Sequence, residues 1–393
     1  MRRLNKIWPK EVSMHRICML MITHSCNLNC TYCYEQYKSK NKMSFEIAKS
    51  LILKEAQIVK KQKKFKGLEI DLMGGEPMTN FQLVKELVEW AETDVINVPW
   101  IFFMTTNGTL FTDKHKQWFK RHRSSIECAV SYDGTPKMQQ DNRGSNSTQI
   151  DLNFFLKTWK KQGVHLTISQ STLPYLADGI LALQRKNIPV EIALAEGIKW
   201  NELDAELYAK QLHLLCDAYI KDDNLIPVNI LTRQLDIVIP GKDKRKMKKF
   251  CGAGTHMITY DTNGESYACH MFSPIVLGSK ANKTKLLDFK SSAFAEDSDC
   301  QKCCLKHFCP TCAGFNYRYR NNPAIRDKYK CKLHLYEAII SADFQLKLIA
   351  NNCRKLTEED ALYAESALKA KKILQNINIE KYPFTIKENT TCK

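Results

Sequence analysis

The chain has 393 residues, 44% of them hydrophobic, with 59 Lys and Arg against 42 Asp and Glu and a formal net charge of +17. That length and apolar content imply two or three globular domains with a substantial core, and no stretch approaches the ~20 apolar residues of a membrane span. The positive charge reads first as a solvated lysine-rich surface and second as suited to an acidic partner such as a peptide or a small electron carrier, while the absence of a basic motif interleaved with aromatics argues against nucleic acid. No signal-peptide pattern opens the chain, and eight of its 16 cysteines fall between Cys251 and Cys331. Such clustering favours metal ligation over disulfides, and with it a reducing, cytoplasmic setting.

In chain order, residues 17–23 form an apolar run that predicts a short buried strand. Cys26, Cys30 and Cys33 follow at once, within eight residues. A loop this tight with three thiolates and no fourth cysteine would hold a cube of iron and sulfide with one iron left free of protein. Zinc is the alternative, but it usually takes four ligands, and His24 lies too close to Cys26 to complete a tetrahedron easily. Residues 44–63 read as a helix opened by Ser44, and 67–73 as a strand. Helical and strand patterns then alternate: helices over 81–93, 112–121, 150–161, 177–186 and 202–220, strands over 100–105, 125–131, 164–169 and 190–195. Strands spaced by helices of this length predict parallel βα units. Six units are too few to close an eight-stranded barrel, so the expected fold class is α/β, a partial (β/α)6 barrel.

Several of these strands end in polar, glycine-containing turns. Gly74-Gly75-Glu76-Pro77 follows the second strand, Asn107 and Gly108 the third, and Ser131 to Gly134 the fourth. Each turn alone is ordinary chain-reversal chemistry, but four consecutive strand ends of this kind, the cysteine loop included, argue for one ligand at a shared rim. A basic run at 242–249 marks a boundary. Beyond it come Cys251, twelve residues, Gly264, four residues and Cys269, then Cys300-x2-Cys303-x5-Cys309-x2-Cys312 and finally Cys331. A zinc-knuckle ribbon is the structural alternative for this second region. Helical spacing returns over 333–350 and 358–375. The expected domains are 1–220, a linker at 221–250, a cysteine-rich domain at 251–335 and a C-terminal helical segment at 336–393. Cys18, Cys128 and Cys216 fall in strand or helix patterns and read as small core residues.

Cys26-x3-Cys30-x2-Cys33 with Tyr32 before the last cysteine resembles the signature of the radical S-adenosylmethionine (SAM) enzymes, and the second constellation resembles their SPASM extension. The resemblance covers residues 17–331. It implies a partial barrel followed by a SPASM auxiliary-cluster domain and C-terminal helices, with SAM and three [4Fe–4S] clusters as cofactors. By its terms Cys26, Cys30 and Cys33 ligate the first cluster. Gly74, Gly75, Glu76 and Pro77 hold the SAM amino group, Ser131 and Arg143 its carboxylate, with Asn107 at the same rim. Ser169 reaches the ribose, and Leu194 packs on the adenine opposite Tyr32. Cys251, Cys269 and Cys312 hold one auxiliary cluster, and Cys300, Cys303, Cys309 and Cys331 the other. Only Pro310 and Thr311 separate Cys309 from Cys312 where the family usually has three residues, so Cys304 is an alternative ligand. Residues 242–250 contain no further cysteine, so the first auxiliary cluster is expected to keep an open iron or to recruit Cys304 or a non-cysteine ligand.

The implied activity is maturation of a ribosomally made peptide, in which a 5′-deoxyadenosyl radical derived from SAM abstracts a hydrogen atom and a thioether or carbon–carbon crosslink forms. Implied partners are the precursor peptide, a flavodoxin or ferredoxin as electron donor, and a separate leader-recognition protein, because only 25 residues precede Cys26. The alternative is an anaerobic sulfatase maturase that makes formylglycine from Ser or Cys. That subfamily places a catalytic Asp directly after the second cysteine of the extension, where this chain has His270.

Overall fold

The computed structural model describes residues 14–160, 162–235, 238, 251–289, 297–301, 303–351 and 357–379. The basic run at 242–249, Cys353 and Cys392 lie outside the described residues. Strand β1 (Arg16–Thr23) is followed by α1 (Phe45–Lys61), β2 (Leu68–Gly74), α2 (Phe81–Ala91), β3 (Trp100–Thr106), α3 (Asp113–Arg121) and β4 (Ile126–Ser131). Then come α4 (Pro136–Arg143), α5 (Leu152–Thr158), β5 (Val164–Ile168), α6 (Leu176–Gln184), β6 (Val190–Leu194) and α7 (Glu202–Lys221). The chain continues through β7 (Met257–Tyr260), β8 (Ser266–Tyr267), α8 (Pro274–Leu277), α9 (Ala313–Arg320), α10 (Cys331–Ala350) and α11 (Glu358–Gln375). The sheet order is β6-β5-β4-β3-β2-β1-β7-β8. Strands β1 to β5 pair in parallel, as the alternating pattern predicts, and β7 adds to the free side of β1, also in parallel. The sheet therefore has eight strands where six were expected. The extra two, short and joined as an antiparallel hairpin, come from the cysteine-rich stretch, where 257–260 and 266–267 are too brief to show a period.

The chain divides into two compact units, one of Glu11–Leu166 with Cys251–Ser291, the other of Thr167–Phe250 with Ser292–Lys393. In the first unit, Cys18, Leu20, Met21 and Ile22 are fully buried, as are Leu68, Ile70 and Leu72 on β2. Near-continuous apolar runs are what a parallel sheet covered on both faces requires. Cys18 and Cys128 are buried core residues, and so is Cys216 in the second unit. Local capping sets the helix starts: the Ser44 side chain accepts from the Ile47 amide, and Thr112 closes a capping box with His115. Helix α4 was not expected, because PKMQQDNR carries one apolar residue and no period. It forms because Thr135 caps it, Pro136 occupies its first turn and Gly144, at φ 63°, ends it directly after Arg143.

In the second unit, Leu235, Leu305, Phe308, Leu335, Ala338, Ala342, Ala370 and Leu374 share one core. Residues 225–235, expected to begin a linker, contribute Leu225, Val228, Ile230 and Leu231 to the buried set. A polar network lies within this unit. Glu337 accepts from the Tyr208 hydroxyl at 2.8 Å and from Arg233 Nη1 at 3.0 Å, and its Oε2 lies 2.9 Å from His334 Nδ1. Among the described residues no helix is long and apolar enough to cross a membrane.

Candidate active site and cysteine constellations

The cysteine loop starts where β1 ends, and the rim turns are tied to it by backbone bonds. The Gly75 amide donates to Thr23 O at 3.3 Å and the Glu76 amide to Ser25 O at 2.9 Å. A Cβ on Gly75 would come within 2.6 Å of Ser25 O and 2.8 Å of Cys26 Cβ, so only glycine permits this approach. Glu76 is buried and its carboxylate is fully used inside the protein. Oε1 accepts from Thr106 Oγ1 at 2.6 Å and from the Met78 amide at 3.1 Å, and Oε2 accepts from the Asn107 amide at 2.8 Å. Glu76 thus locks the turn in place, with its carboxylate committed to Thr106, Met78 and Asn107. Pro77 opens the 3-10 turn that follows. Asn107 reaches back to the loop, its Nδ2 donating to Asn27 Oδ1 at 3.0 Å.

Tyr32 and Arg143 meet at a residue that sequence reasoning passed over. Asp133, fully buried, accepts from the Tyr32 hydroxyl at 2.5 Å, Asn142 Nδ2 at 3.0 Å, Arg143 Nε at 3.0 Å and Arg143 Nη2 at 3.1 Å. The Arg143 guanidinium also lies 5.5 Å from the Tyr32 ring centroid. The fork expected to bind a ligand carboxylate is therefore engaged by Asp133, and the remaining Nη1 is the part of the guanidinium outside those contacts. Ser131 ends β4 on this rim. A short polar residue one turn ahead of an arginine helix is the only trace Asp133 leaves in the sequence.

His24 is excluded as a fourth cysteine-loop ligand by its bonds: Nε2 lies 2.6 Å from Asp261 Oδ1 and Nδ1 lies 3.3 Å from Ser39 Oγ. Asp261 sits just after β7, so the hairpin that sequence periodicity missed braces the cysteine loop. Glu35, two residues past Cys33, is also buried, and burial pushes its carboxyl up to about 8. The donor set of the loop is three half-buried free thiols, and the imidazole beside it, His24, is committed to Asp261 and Ser39. Soft thiolates with one position left open suit an iron–sulfur cube. Burial pushes the Cys26 thiol up to about 11.

The SPASM-like residues divide between the units. Cys251 precedes β7 and Cys269 follows β8; His270 starts a 3-10 turn, with Nε2 3.4 Å from the Tyr34 hydroxyl and Nδ1 sealed from solvent with no hydrogen-bond partner among the described residues. Burial of the ring lowers its pKa to about 4. In the other unit, Cys300, Cys303, Cys309, Cys312 and Cys331 line a single small pocket of about 40 Å³, and Cys304 packs against the adjoining core. Ser169 is buried at the end of β5, with Oγ 3.1 Å from Thr172 Oγ1, and Leu194 ends β6.

A parallel α/β sheet with a three-cysteine loop at the end of its first strand and a glycine turn locked against that loop is the arrangement that the resemblance to the radical SAM enzymes implies. Comparison with known proteins agrees. The family described as a 4Fe-4S single cluster domain matches residues 15–151. An uncharacterized protein of Methanocaldococcus jannaschii is 27% identical over 276 residues, 68% of this chain and 90% of that protein. The radical SAM cyclopropyl synthase TigE of Paramaledivibacter caminithermalis is 22% identical over 362 residues, 85% of this chain and 75% of TigE. Among solved structures, native anSMEcpe with bound AdoMet and Kp18Cys peptide shares the fold, with a TM-score of 0.62 at 17% identity, covering 86% of this chain and 99% of that one. The chain is thus similar to a radical SAM enzyme over 85% of its length and matches a 4Fe-4S single cluster domain over residues 15–151.

Proposed function

We propose that the enzyme is a peptide maturase that joins side chains of a ribosomally made peptide through a thioether or carbon–carbon bond. The observation that carries this reading is the second constellation, in which Cys300, Cys303, Cys309, Cys312 and Cys331 face one pocket. On this reading Cys300, Cys303, Cys309 and Cys331 hold one auxiliary [4Fe–4S] cluster; the family resemblance assigns Cys251, Cys269 and Cys312 to the other, although Cys312 lines the pocket of the first four. The fold shared with the peptide-bound anSMEcpe and the similarity to TigE support a peptide substrate.

Cys26, Cys30 and Cys33 would hold the first cluster, which when bound would supply the electron for reductive cleavage of SAM. The chain's own residues bind and orient. The Gly74–Gly75 backbone, held by Glu76, receives the amino group of SAM. Arg143, fixed by Asp133, presents Nη1 to the SAM carboxylate beside Ser131. Tyr32, pinned through its hydroxyl, offers its ring to the adenine. Holding SAM in one pose against the substrate supplies the proximity that hydrogen abstraction needs.

The second reading is formylglycine formation, favoured by the fold shared with anSMEcpe bound to a Kp18Cys peptide, although burial lowers the His270 imidazole to about 4 and makes it a weak base. Anaerobic incubation of the cluster-loaded enzyme with SAM, a reductant and a sulfatase-type Ser or Cys peptide separates the two. An aldehyde in the peptide, trapped by a hydrazine reagent, would establish formylglycine and refute the crosslinking assignment. Under the crosslinking assignment the sulfatase peptide stays unchanged, and a precursor-type peptide loses two hydrogens without gaining an aldehyde.

A further inference from the structure

Residues 326–328 run beside the cysteine pocket of the second unit, and one carboxylate fixes them there. Asp297 is buried, and its Oδ2 accepts from the Arg326 backbone amide at 2.8 Å and from Lys328 Nζ at 2.7 Å. Asp299 lies 3.6 Å from the same ammonium. These contacts leave Lys328 a further N–H, which Nζ donates to Cys300 Sγ at 3.2 Å. Arg326 lines the cysteine pocket itself. Its Nη1 donates to Lys306 O at 2.6 Å, while its Nε is sealed from solvent with no hydrogen-bond partner among the described residues. A buried N–H without an acceptor is costly, and an iron–sulfur cube, whose sulfides and thiolates all accept, is the kind of group that would meet it.

We propose that Lys328 and Arg326 are positioning residues for the auxiliary cluster: their N–H groups donate to its sulfurs and hold its reduction potential up. The proposal rests on the assignment of Cys300, Cys303, Cys309 and Cys331 to that cluster. A cluster gains negative charge on reduction, so N–H groups aimed at its sulfurs stabilise the reduced state more than the oxidised one. The pairing of Lys328 with Asp297 offsets the free charge of the ammonium and sets its direction. The effect therefore comes from the hydrogen bond to Cys300, which Asp297 aims, and it is local to this pocket.

The test reads a potential and not turnover. Anaerobic holoenzyme, its iron counted, is reduced stepwise with dithionite and redox mediators. The electron paramagnetic resonance signal that Cys309→Ala removes is that of the auxiliary cluster. Lys328→Met should shift the reduction equilibrium of this signal about tenfold toward the oxidised state, about 59 mV lower for one electron. Arg326→Gln should shift it the same way. Lys328→Arg keeps a charged donor and should stay within about threefold of the parent. Lys210→Met removes the same charge from an exposed position on α7 and should leave the midpoint unchanged. A midpoint unmoved by Lys328→Met, or moved as far by Lys210→Met, would overturn the proposal. If Lys328→Met loads no iron, Lys328→Gln is titrated in its place, and a midpoint equal to the parent's overturns the proposal. Zinc in place of iron in the parent, with no signal for Cys309→Ala to remove, would overturn the cluster assignment and the proposal together. A signal that is present but unmoved overturns the proposal alone.

Discussion

Replacing Asp133 should destabilise the enzyme more than any other single change at the rim. Its side chain is inaccessible to solvent and accepts four hydrogen bonds, two of them from Arg143, whose own side chain is only 8% exposed. Asp133→Ala would leave a guanidinium in the interior without its counter-charge, and breaking a buried pair from one side costs about 3–5 kcal/mol. Arg143→Met removes the opposite charge and orphans the carboxylate in turn. The double variant orphans neither, so its loss should fall short of the summed single losses by about 2 kcal/mol. Urea unfolding of the anaerobic holoenzyme, followed by tryptophan fluorescence for all four proteins of the cycle, measures this coupling. A loss below about 1 kcal/mol for Asp133→Ala, or additive single losses, would refute the reasoning. The same variant should weaken SAM binding, because the arginine fork and the Tyr32 hydroxyl lose their common anchor.

Glu76→Gln should lower SAM affinity at least about tenfold, because an amide cannot accept from Thr106, Met78 and the Asn107 amide together; equilibrium dialysis with SAM checks it. Gly75→Ala should impair assembly of the first cluster, read as iron and sulfide content, since the new Cβ would meet Ser25 O and Cys26 Cβ at under 3 Å. Burial alone would raise the Glu337 carboxyl, but His334 and Arg233 hold it down to about 2 from its ordinary 4.5. Its stabilisation is therefore complete above the ordinary value and is lost as pH falls from there toward 2. Glu337→Gln should cost about 2–3 kcal/mol at pH 7, and its gap to the parent should narrow below about pH 4.5, read as the difference in Tm. If three clusters are bound, Cys309→Ala should lower iron from about 12 to about 8 per chain while the Cys26 site still binds SAM.

Much of the barrel was legible because parallel strands and their covering helices carry strong periods: β1, β3, β4 and β6 fall within a residue or two of the ranges read from the sequence. The cysteine spacings and Gly74–Pro77 were legible because iron–sulfur ligation and close backbone approach demand particular residues. Helix α4 was not, since caps at Thr135 and Gly144 define it and hydrophobic spacing does not. The β7–β8 hairpin escaped for want of length, and with it the Asp261 brace on His24. Asp133 was hidden in an ordinary strand-end turn because its partners, Tyr32 and Arg143, come from distant parts of the chain, and pairing across such distance leaves no local pattern. The same holds for Glu337, whose partners lie more than 100 positions away at Tyr208 and Arg233.

The central claim is tested most directly by anaerobic turnover with a precursor-type peptide, counting 5′-deoxyadenosine against modified peptide. The cluster-loaded enzyme should form one 5′-deoxyadenosine for each peptide that loses two hydrogens, and the Cys26→Ala, Cys30→Ala, Cys33→Ala triple variant should form none. SAM cleavage that survives loss of the three cysteines, or a loaded enzyme that cleaves no SAM, would contradict the account.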